Sequence, residues 1–127
     1  LTQAAADTEP FDILVQSAQY FPGQSPIVYL EIIKNPALIK AHLKIWDILQ
    51  DHTAEPNMLY SPALWHPHIT LAVQDLSWED LPKALAFIQS KQIDWRVTID
   101  QFSMLRQDQN GAVTLEHHFQ LGKGQIR

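Results

Sequence analysis

One short segment of the sequence places a histidine and a hydroxyl residue at a spacing that suits joint chemistry. The segment reads Trp65-His66-Pro67-His68-Ile69-Thr70-Leu71-Ala72. Because residues i and i+2 of a β-strand point to the same face, His68 and Thr70 would project together, with Ile69 and Leu71 turned into the core. An imidazole, with an ordinary pKa of about 6.5, can move protons near neutral pH. A threonine hydroxyl can hold a phosphate oxygen without adding a repulsive charge.

The remaining histidines do not repeat this spacing, since none is followed two positions later by Thr or Ser. His66 and His68 could instead begin a metal site. The third ligand would then come from the last strand, from Glu116, His117 or His118. We favour a solvated His66 at the end of a loop, because two ligands rarely suffice for a metal. His117 and His118 point to opposite faces of their strand, so only one of them could face a cleft.

Three further side chains near the motif are candidates for packing or binding. Trp65 and Tyr60 lie in the loop that enters the motif strand, and either aromatic ring could stack on a base. Packing against the core is the more common role of large aromatic residues. His42 falls on the apolar stripe of its helix, which favours a packed position at the boundary of the core.

The motif strand requires neighbouring elements, and hydrophobic periodicity predicts them along the chain. The predicted strands are 11–21, 27–33, 68–73, 95–105 and 113–121. The predicted helices are the end of one at 1–6, then 36–50 and 77–91. Asn35 precedes a proline and is placed to cap the second helix, while Ser77 caps the third with Asp80 returning the hydrogen bond. Asn110-Gly111 indicates a hairpin turn.

The order of these elements repeats within the chain. Residues 11–15 align with 95–99 at an offset of 84, and residues 29–31 align with 114–116 at an offset of 85. One residue inserted in the turn would account for the difference. The repeat predicts a copy of the His68 strand about 16 residues before Leu1, where the first unit would have its missing strand.

The second half of the chain resembles the two-histidine (2H) phosphoesterase superfamily. The resemblance lies in the string His-Pro-His-Ile-Thr-Leu-Ala at 66–72, in the Ser-capped helix after it and in the two strands that follow that helix. The branch to which the chain is most similar contains the RNA 2′,3′-cyclic phosphodiesterases and the 2′-5′ RNA ligase-like proteins. The resemblance implies two lobes related by a pseudo-twofold axis, each with one H-x-[TS] strand. His68 and Thr70 match that motif, whereas the second H-x-[TS] is absent from the 127 residues.

The resemblance also implies a phosphoesterase that needs neither metal nor cofactor and acts on a nucleotide or RNA end with a 2′,3′-cyclic phosphate or a 2′-5′ bond. One histidine would remove a proton from water and the other would protonate the leaving ribose oxygen, a step that can contribute about 10²- to 10⁴-fold. Thr70 would steady the phosphoryl oxygens as charge develops. A catalytically inactive nucleotide-binding relative and a metallohydrolase built on His66 and His68 stay open as alternatives.

We therefore expect an α+β fold in which two antiparallel sheets face a central groove with helices outside. The chain should form a single domain over residues 1–127. Its expected parts are the remainder of an incomplete first lobe at 1–50, a connecting loop at 51–65, a complete second lobe at 66–121 and a tail at 122–127. A species of these residues alone should be inactive, and its exposed sheet edge should make it poorly soluble or prone to strand swapping.

Composition narrows the functional class. The chain has 127 residues, of which 46% are hydrophobic and 18% charged, and its net charge is −5. This acidity argues against binding of long duplex nucleic acid, which needs a basic face. The sequence contains no cysteine, so it offers no disulfide framework and no thiolate metal site. Since no apolar run approaches the roughly 18 residues of a membrane helix, we expect a cytoplasmic protein with no membrane partner.

Overall fold

The computed structural model describes residues 1–122 and shows an α+β protein with two antiparallel sheets, as predicted. The α-helices are α1 (Thr2–Ala6), α2 (Pro36–Gln50) and α3 (Leu81–Gln89), and a 3₁₀ turn occupies Met58–Tyr60. The strands are β1 (Phe11–Phe21), β2 (Ile27–Ile32), β3 (His68–Ala72), β4 (Trp95–Ile99), β5 (Gln101–Gln107) and β6 (Val113–Gln120). Within residues 1–122, no helix has the length and apolar character needed to cross a membrane.

The first sheet has the strand order β3-β2-β1-β4, and each neighbouring pair is antiparallel. β1 lies inside this sheet because one part of its 11 residues pairs with β2 and another part pairs with β4. The motif strand β3 is an edge strand whose neighbour is β2. The sheet therefore combines strands from both predicted lobes, and the division into two lobes remains a prediction.

The hydrophobic core lies against one face of the first sheet. Apolar alternation in β1 buries Ile13 and Val15, and Leu30 of β2 packs beside them with 1% of its surface exposed. The half-buried residues that pack against this cluster include Leu38 of α2, Leu85 and Ile88 of α3, and Ile93. Burial of one such aliphatic side chain stabilises a fold by about 1.5–3 kcal/mol. The core thus fixes β2, and β2 positions the motif strand.

The start of α2 follows from a local signal in the sequence. The Asn35 Oδ1 atom accepts a hydrogen bond from the Leu38 N–H at 2.9 Å, and Pro36 occupies the first turn. The Asn35 amide also donates to the Asp12 carbonyl at 2.8 Å, which ties the helix start to β1. The helix predicted over 36–50 is confirmed at both ends.

Two predicted elements were wrong in extent. The single strand predicted over 95–105 divides at Asp100, so that β4 pairs with β1 whereas β5 pairs with β6 in a second sheet. The Asp100 carbonyl accepts a hydrogen bond from the Leu121 N–H at 2.8 Å, which holds the chain at this break. The helix predicted from Ser77 begins instead at Leu81. A turn precedes it, in which the Asp80 N–H donates to Ser77 Oγ at 3.2 Å.

The pairing of β1 with β4 is compatible with the offset proposed for the repeat. Ile13 lies opposite Val97, and these two positions are 84 residues apart. The register of β1 shifts between Gln16 and Ala18, and the chain breaks at Asp100, which is 84 residues after Gln16. These agreements concern the first half of the alignment, and the repeat itself remains a prediction.

The second half of the repeat alignment was wrong. Gln19 pairs with Tyr29 in the first hairpin, and Ser103, 84 residues after Gln19, pairs with His118 in the second. Tyr29 therefore corresponds to His118, and the predicted alignment of residues 29–31 with 114–116 fails. The reason is that Tyr29 follows its partner Gln19 by 10 positions, whereas His118 follows its partner Ser103 by 15, and the prediction allowed for only one extra residue in the turn.

Gly122, the first residue of the predicted tail at 122–127, is held in place by the fold. Gly122 is buried, and its N–H donates to the Ala5 carbonyl of α1 at 3.1 Å. Its φ of +79° is a conformation that glycine adopts without steric cost. The prediction that the tail begins at Gly122 was therefore wrong for this residue, while residues 123–127 lie outside the described residues.

Candidate active site

β3 places the two predicted catalytic residues on one face of the first sheet. Thr70 lies opposite Tyr29 of β2, and His68 lies opposite Glu31. Side chains of directly opposed residues point to the same face of an antiparallel sheet, so these four side chains share a surface. His68 and Thr70 are both exposed on it. The structure thus brings together the histidine and the hydroxyl that the sequence singled out.

Two aromatic rings lie against the motif histidines. The rings of Phe21 and Tyr29 are stacked, with centroids 4.1 Å apart. The His68 ring stands edge-on to both, with its centroid 5.2 Å from that of Phe21 and 5.4 Å from that of Tyr29. The His66 ring makes the same type of contact with the same pair, at 5.4 Å and 5.2 Å. Edge-on packing of this kind restricts the orientation of an imidazole.

A backbone hydrogen bond assigns the tautomer of His68. Its Nδ1 atom is within hydrogen-bonding distance of the His66 carbonyl oxygen. Because a carbonyl can only accept, Nδ1 must carry the proton, and the Nε2 atom of the neutral ring keeps its lone pair. An exposed Nε2 with a lone pair can accept a proton from water, which is the capacity that a general base needs.

Charged groups flank this cluster on β2 and in the residues after it. Burial raises the pKa of the Tyr29 hydroxyl above its ordinary value, and the nearby Glu31 carboxylate raises it further. Tyr29 is therefore a neutral hydroxyl at physiological pH. Glu31, Lys34 and His66 line a cavity of about 270 Å³ beside the start of the motif strand. A cation and an anion thus lie close to the side chains that could bind a substrate.

Trp65 packs against α2. Its ring is stacked on His42 with centroids 3.8 Å apart and 8° between the ring planes, and the Lys34 ammonium lies 5.1 Å from the Trp65 centroid. His42 is half-buried, as predicted for a residue at the boundary of the core. Burial lowers the pKa of His42 below its ordinary value and Lys34 lowers it further, while a hydrogen bond to the Tyr60 carbonyl opposes the shift. This stack fixes the loop that leads into β3.

Tyr60 is exposed and borders a different cavity. The cavity has a volume of about 240 Å³ and lies between the second half of α2 and the connecting loop. Its lining includes His42, Trp46 and Leu49 as well as Tyr60. The aromatic contacts described above join His68 to Phe21 and Tyr29, whereas Trp65 and Tyr60 contact or approach His42. A role for Trp65 and Tyr60 in binding substrate remains a prediction.

Ile69 and Leu71 were predicted to enter the core, and this was wrong. Ile69 is 37% exposed and Leu71 is 47% exposed. Both belong to an edge strand, and the buried cluster lies under β1 and β2 instead. The alternation of the motif therefore predicted which side chains share a face, but it did not predict how far the opposite face is covered.

The residues suggested for a metal site do not converge. In the part of the chain that the structure describes, no three His, Cys, Asp or Glu side chains are grouped so that they could hold a metal ion. Glu116, His117 and His118 all belong to β6 in the second sheet, whereas His66 and His68 are attached to the first. The His117 ring contacts Phe119, with centroids 4.5 Å apart. The geometry therefore lends no support to the metallohydrolase alternative.

Sequence reasoning missed Phe21, Tyr29 and Glu31 as members of the site. The alternation of Tyr29 and Glu31 within a predicted strand indicated that both would share a face. The missing information was that β2 pairs with the motif strand, because pairing between strands distant in sequence leaves no local signal. A search for polar and aromatic residues on predicted neighbouring strands could have proposed Tyr29 and Glu31 as candidates.

Comparison with known proteins decides the family. The sequence profile of the 2′-5′ RNA ligase superfamily matches residues 1–111. The chain belongs to the 2′-5′ RNA ligase superfamily. The resemblance to 2H phosphoesterases that the motif segment indicated is thereby confirmed.

Bacterial relatives of this 2′-5′ RNA ligase superfamily member carry the name "Putative phosphoesterase". The relative from Halalkalibacterium halodurans is 28% identical over 121 residues, which cover 95% of the chain and 66% of the relative. The relative from Geobacillus kaustophilus is 27% identical over 122 residues, covering 96% and 66%. The relative from Bacillus pumilus is 24% identical over 123 residues, covering 97% and 67%. The chain thus spans about two thirds of the length of the curated relatives that it matches.

Proposed function

We propose that the protein is a metal-independent phosphoesterase that acts on RNA-type 2′,3′-cyclic phosphates or on 2′-5′ phosphodiester bonds. The observation that carries the proposal is the arrangement of His68, an exposed residue that shares a face with Thr70 and whose Nδ1–H is held by the His66 carbonyl, which leaves the lone pair on Nε2. Membership of the 2′-5′ RNA ligase superfamily supports a phosphoesterase that acts on RNA-type substrates. The phosphoesterase names of the relatives support the same class.

The proposed reaction uses two histidines in opposite protonation states. His68 Nε2 removes a proton from water, and the water oxygen attacks phosphorus. The bond between phosphorus and one ribose oxygen breaks, and a second, protonated histidine gives its proton to that leaving oxygen. Thr70 donates a hydrogen bond to a non-bridging phosphoryl oxygen as its charge increases. The second histidine is the one that the repeat predicts on a strand outside these residues.

The test is hydrolysis of adenosine 2′,3′-cyclic phosphate by the intact natural protein in the presence of EDTA. We expect activity that persists in EDTA and falls by about 10²- to 10⁴-fold in His68→Ala, because a general base is lost. His52→Ala is the matched control, since it removes an exposed imidazole from the residues after α2 and should leave the activity unchanged. Full activity of His68→Ala, or complete loss of wild-type activity in EDTA, would contradict the proposal.

A catalytically inactive nucleotide-binding protein is the second candidate. The observation that favours it is that His68 alone among the histidines of this sequence has Thr or Ser two positions later. Such a protein would bind adenosine 2′-monophosphate but would not hydrolyse the cyclic phosphate in EDTA or in added divalent metal. Binding and turnover measured on the same preparation therefore separate the two functions.

A further inference from the structure

Ser103 and His118 form a polar pair on the second sheet. They lie directly opposite each other in β5 and β6, and Ser103 Oγ is 2.9 Å from His118 Nδ1. Both side chains are exposed. Since Nδ1 is engaged with Ser103, the second ring nitrogen, Nε2, is directed away from that bond. In both His118 and His68, Nδ1 is engaged and Nε2 is the remaining ring nitrogen. The partner of Nδ1 is a hydroxyl in His118 and a carbonyl in His68.

The strand registers give His118 a specific place relative to the motif strand. The first hairpin, β1–β2, can be aligned with the second, β5–β6, by the 84-residue offset that separates Ile13 from its partner Val97. In this alignment His118 corresponds to Tyr29. Tyr29 is the residue that lies opposite Thr70 and whose ring contacts His68. His118 therefore occupies, on the second hairpin, the position that borders the histidine motif on the first.

We propose, building on the phosphoesterase function proposed above, that Ser103 and His118 bind a phosphate oxygen of the nucleotide ligand. When the Ser103 hydroxyl donates its hydrogen to His118 Nδ1, the proton of the neutral ring resides on Nε2. His118 Nε2–H then donates a hydrogen bond to an anionic phosphate oxygen, which is stronger than a bond between neutral groups. Ser103 acts by holding Nδ1 and thereby orienting the ring.

The pair adds a hydrogen-bond donor to those that the first sheet offers. A phosphate group presents oxygen atoms that accept hydrogen bonds, and a binding site must offer donors to them. On the first sheet, His68 Nε2 is an acceptor and the Glu31 carboxylate repels an anion, so the motif strand itself supplies only the Thr70 hydroxyl as a donor. A donor on the second hairpin would bind a phosphate oxygen without competing with His68 for a proton.

Affinity for adenosine 2′-monophosphate, measured by calorimetry on the intact natural protein, tests this pair. His118→Phe keeps a planar ring and removes the donor, and we expect about tenfold weaker binding. His118→Gln places an amide N–H near the position of Nε2 and should stay within about threefold of wild type. Ser103→Ala should weaken binding by about threefold, because the ring loses the hydrogen bond that orients it. His117→Phe is the matched control, since the adjacent residue points to the opposite face and should leave affinity unchanged.

Several results would overturn the inference. These are unchanged affinity in both His118→Phe and Ser103→Ala, equal losses in His117→Phe and His118→Phe, and a wild-type protein that does not bind the probe. Circular dichroism of each variant checks folding, and Ser103→Ala decides the outcome if His118→Phe does not fold. Hydrolysis by His68→Ala tests the proposed function separately. Normal loss of hydrolysis there, with unaltered affinity in His118→Phe, would reject only the phosphate-binding pair.

Discussion

The first sheet and the second hairpin, β5–β6, differ in how they are held. On the first sheet, Val15 and Leu30 are at most 1% exposed. On the second hairpin, Leu105 is 61% exposed and Leu115 is 49% exposed. The buried apolar cluster lies on the first sheet, whereas the strands of the hairpin pair with each other and leave these two leucines exposed. One protein thus presents two polar surfaces on supports of unequal burial.

This difference predicts where the two parts of the proposed site are sensitive to mutation. His68 and Thr70 depend on β2, whose inward residues are buried. We therefore expect core mutations that destabilise β2 to disturb the positions of His68 and Thr70. Ser103 and His118 depend on the pairing of β5 with β6, and we expect this pairing to tolerate changes of the exposed apolar residues. Three measurements test this difference.

The largest expected effect is on stability. Leu30→Ala should reduce the free energy of unfolding by about 2–5 kcal/mol, because it removes buried methyl groups and leaves a cavity. Leu115→Ala, the same change on the second hairpin, should alter it by about 0.5 kcal/mol or less, as surface substitutions usually do. Urea titration of the intact natural protein measures both. Similar losses of unfolding free energy in the two variants would show that Leu115 is buried in the natural protein, which would contradict the proposed difference between the two regions.

The next effect is on catalysis. Thr70→Val keeps the shape of the side chain and removes the hydroxyl, so kcat/KM for adenosine 2′,3′-cyclic phosphate should fall by about tenfold, the value of one hydrogen bond to a charged group. Thr114→Val makes the same change on β6 at an exposed position and should leave kcat/KM unchanged. A smaller loss in Thr70→Val than in Thr114→Val would place the chemistry away from the motif strand.

The smallest expected effect is the pH dependence of stability. Because the pKa of His42 is lowered in the folded protein, chiefly by burial, the unfolded chain binds more protons below about pH 6.5. Stability should therefore be fully present above that pH and decrease as the pH falls through it. His42→Gln should reduce this decrease. Urea midpoints at two pH values give the result, and an unaltered slope in His42→Gln would contradict it.

The sequence predicted the elements whose signals are local. β1 was predicted at 11–21 because its residues alternate in polarity, and α2 was predicted at 36–50 because Asn35 and Pro36 mark its start. The spacing of His68 and Thr70 predicted that the two side chains would share a face, and the strand register agrees. These features depend on residues that are neighbours in the chain.

The features that could not be predicted depend on pairing between distant segments. The break at Asp100 is marked by neither glycine nor proline, and it arises where the chain leaves β1 to pair with β6. The contact of Phe21 and Tyr29 with the motif histidines requires the order β3-β2-β1, which no local pattern specifies. The correspondence of Tyr29 with His118 likewise required the strand registers.

The pH–rate profile of the intact natural protein in EDTA tests the two-histidine mechanism most directly. A mechanism with one neutral and one protonated histidine predicts a bell-shaped dependence of kcat/KM on pH for adenosine 2′,3′-cyclic phosphate. His68→Ala should remove the acidic limb, which reports the group that must be neutral, along with most of the activity. An active enzyme whose profile has no acidic limb, or whose acidic limb persists in His68→Ala, would contradict the assignment of His68 as the base.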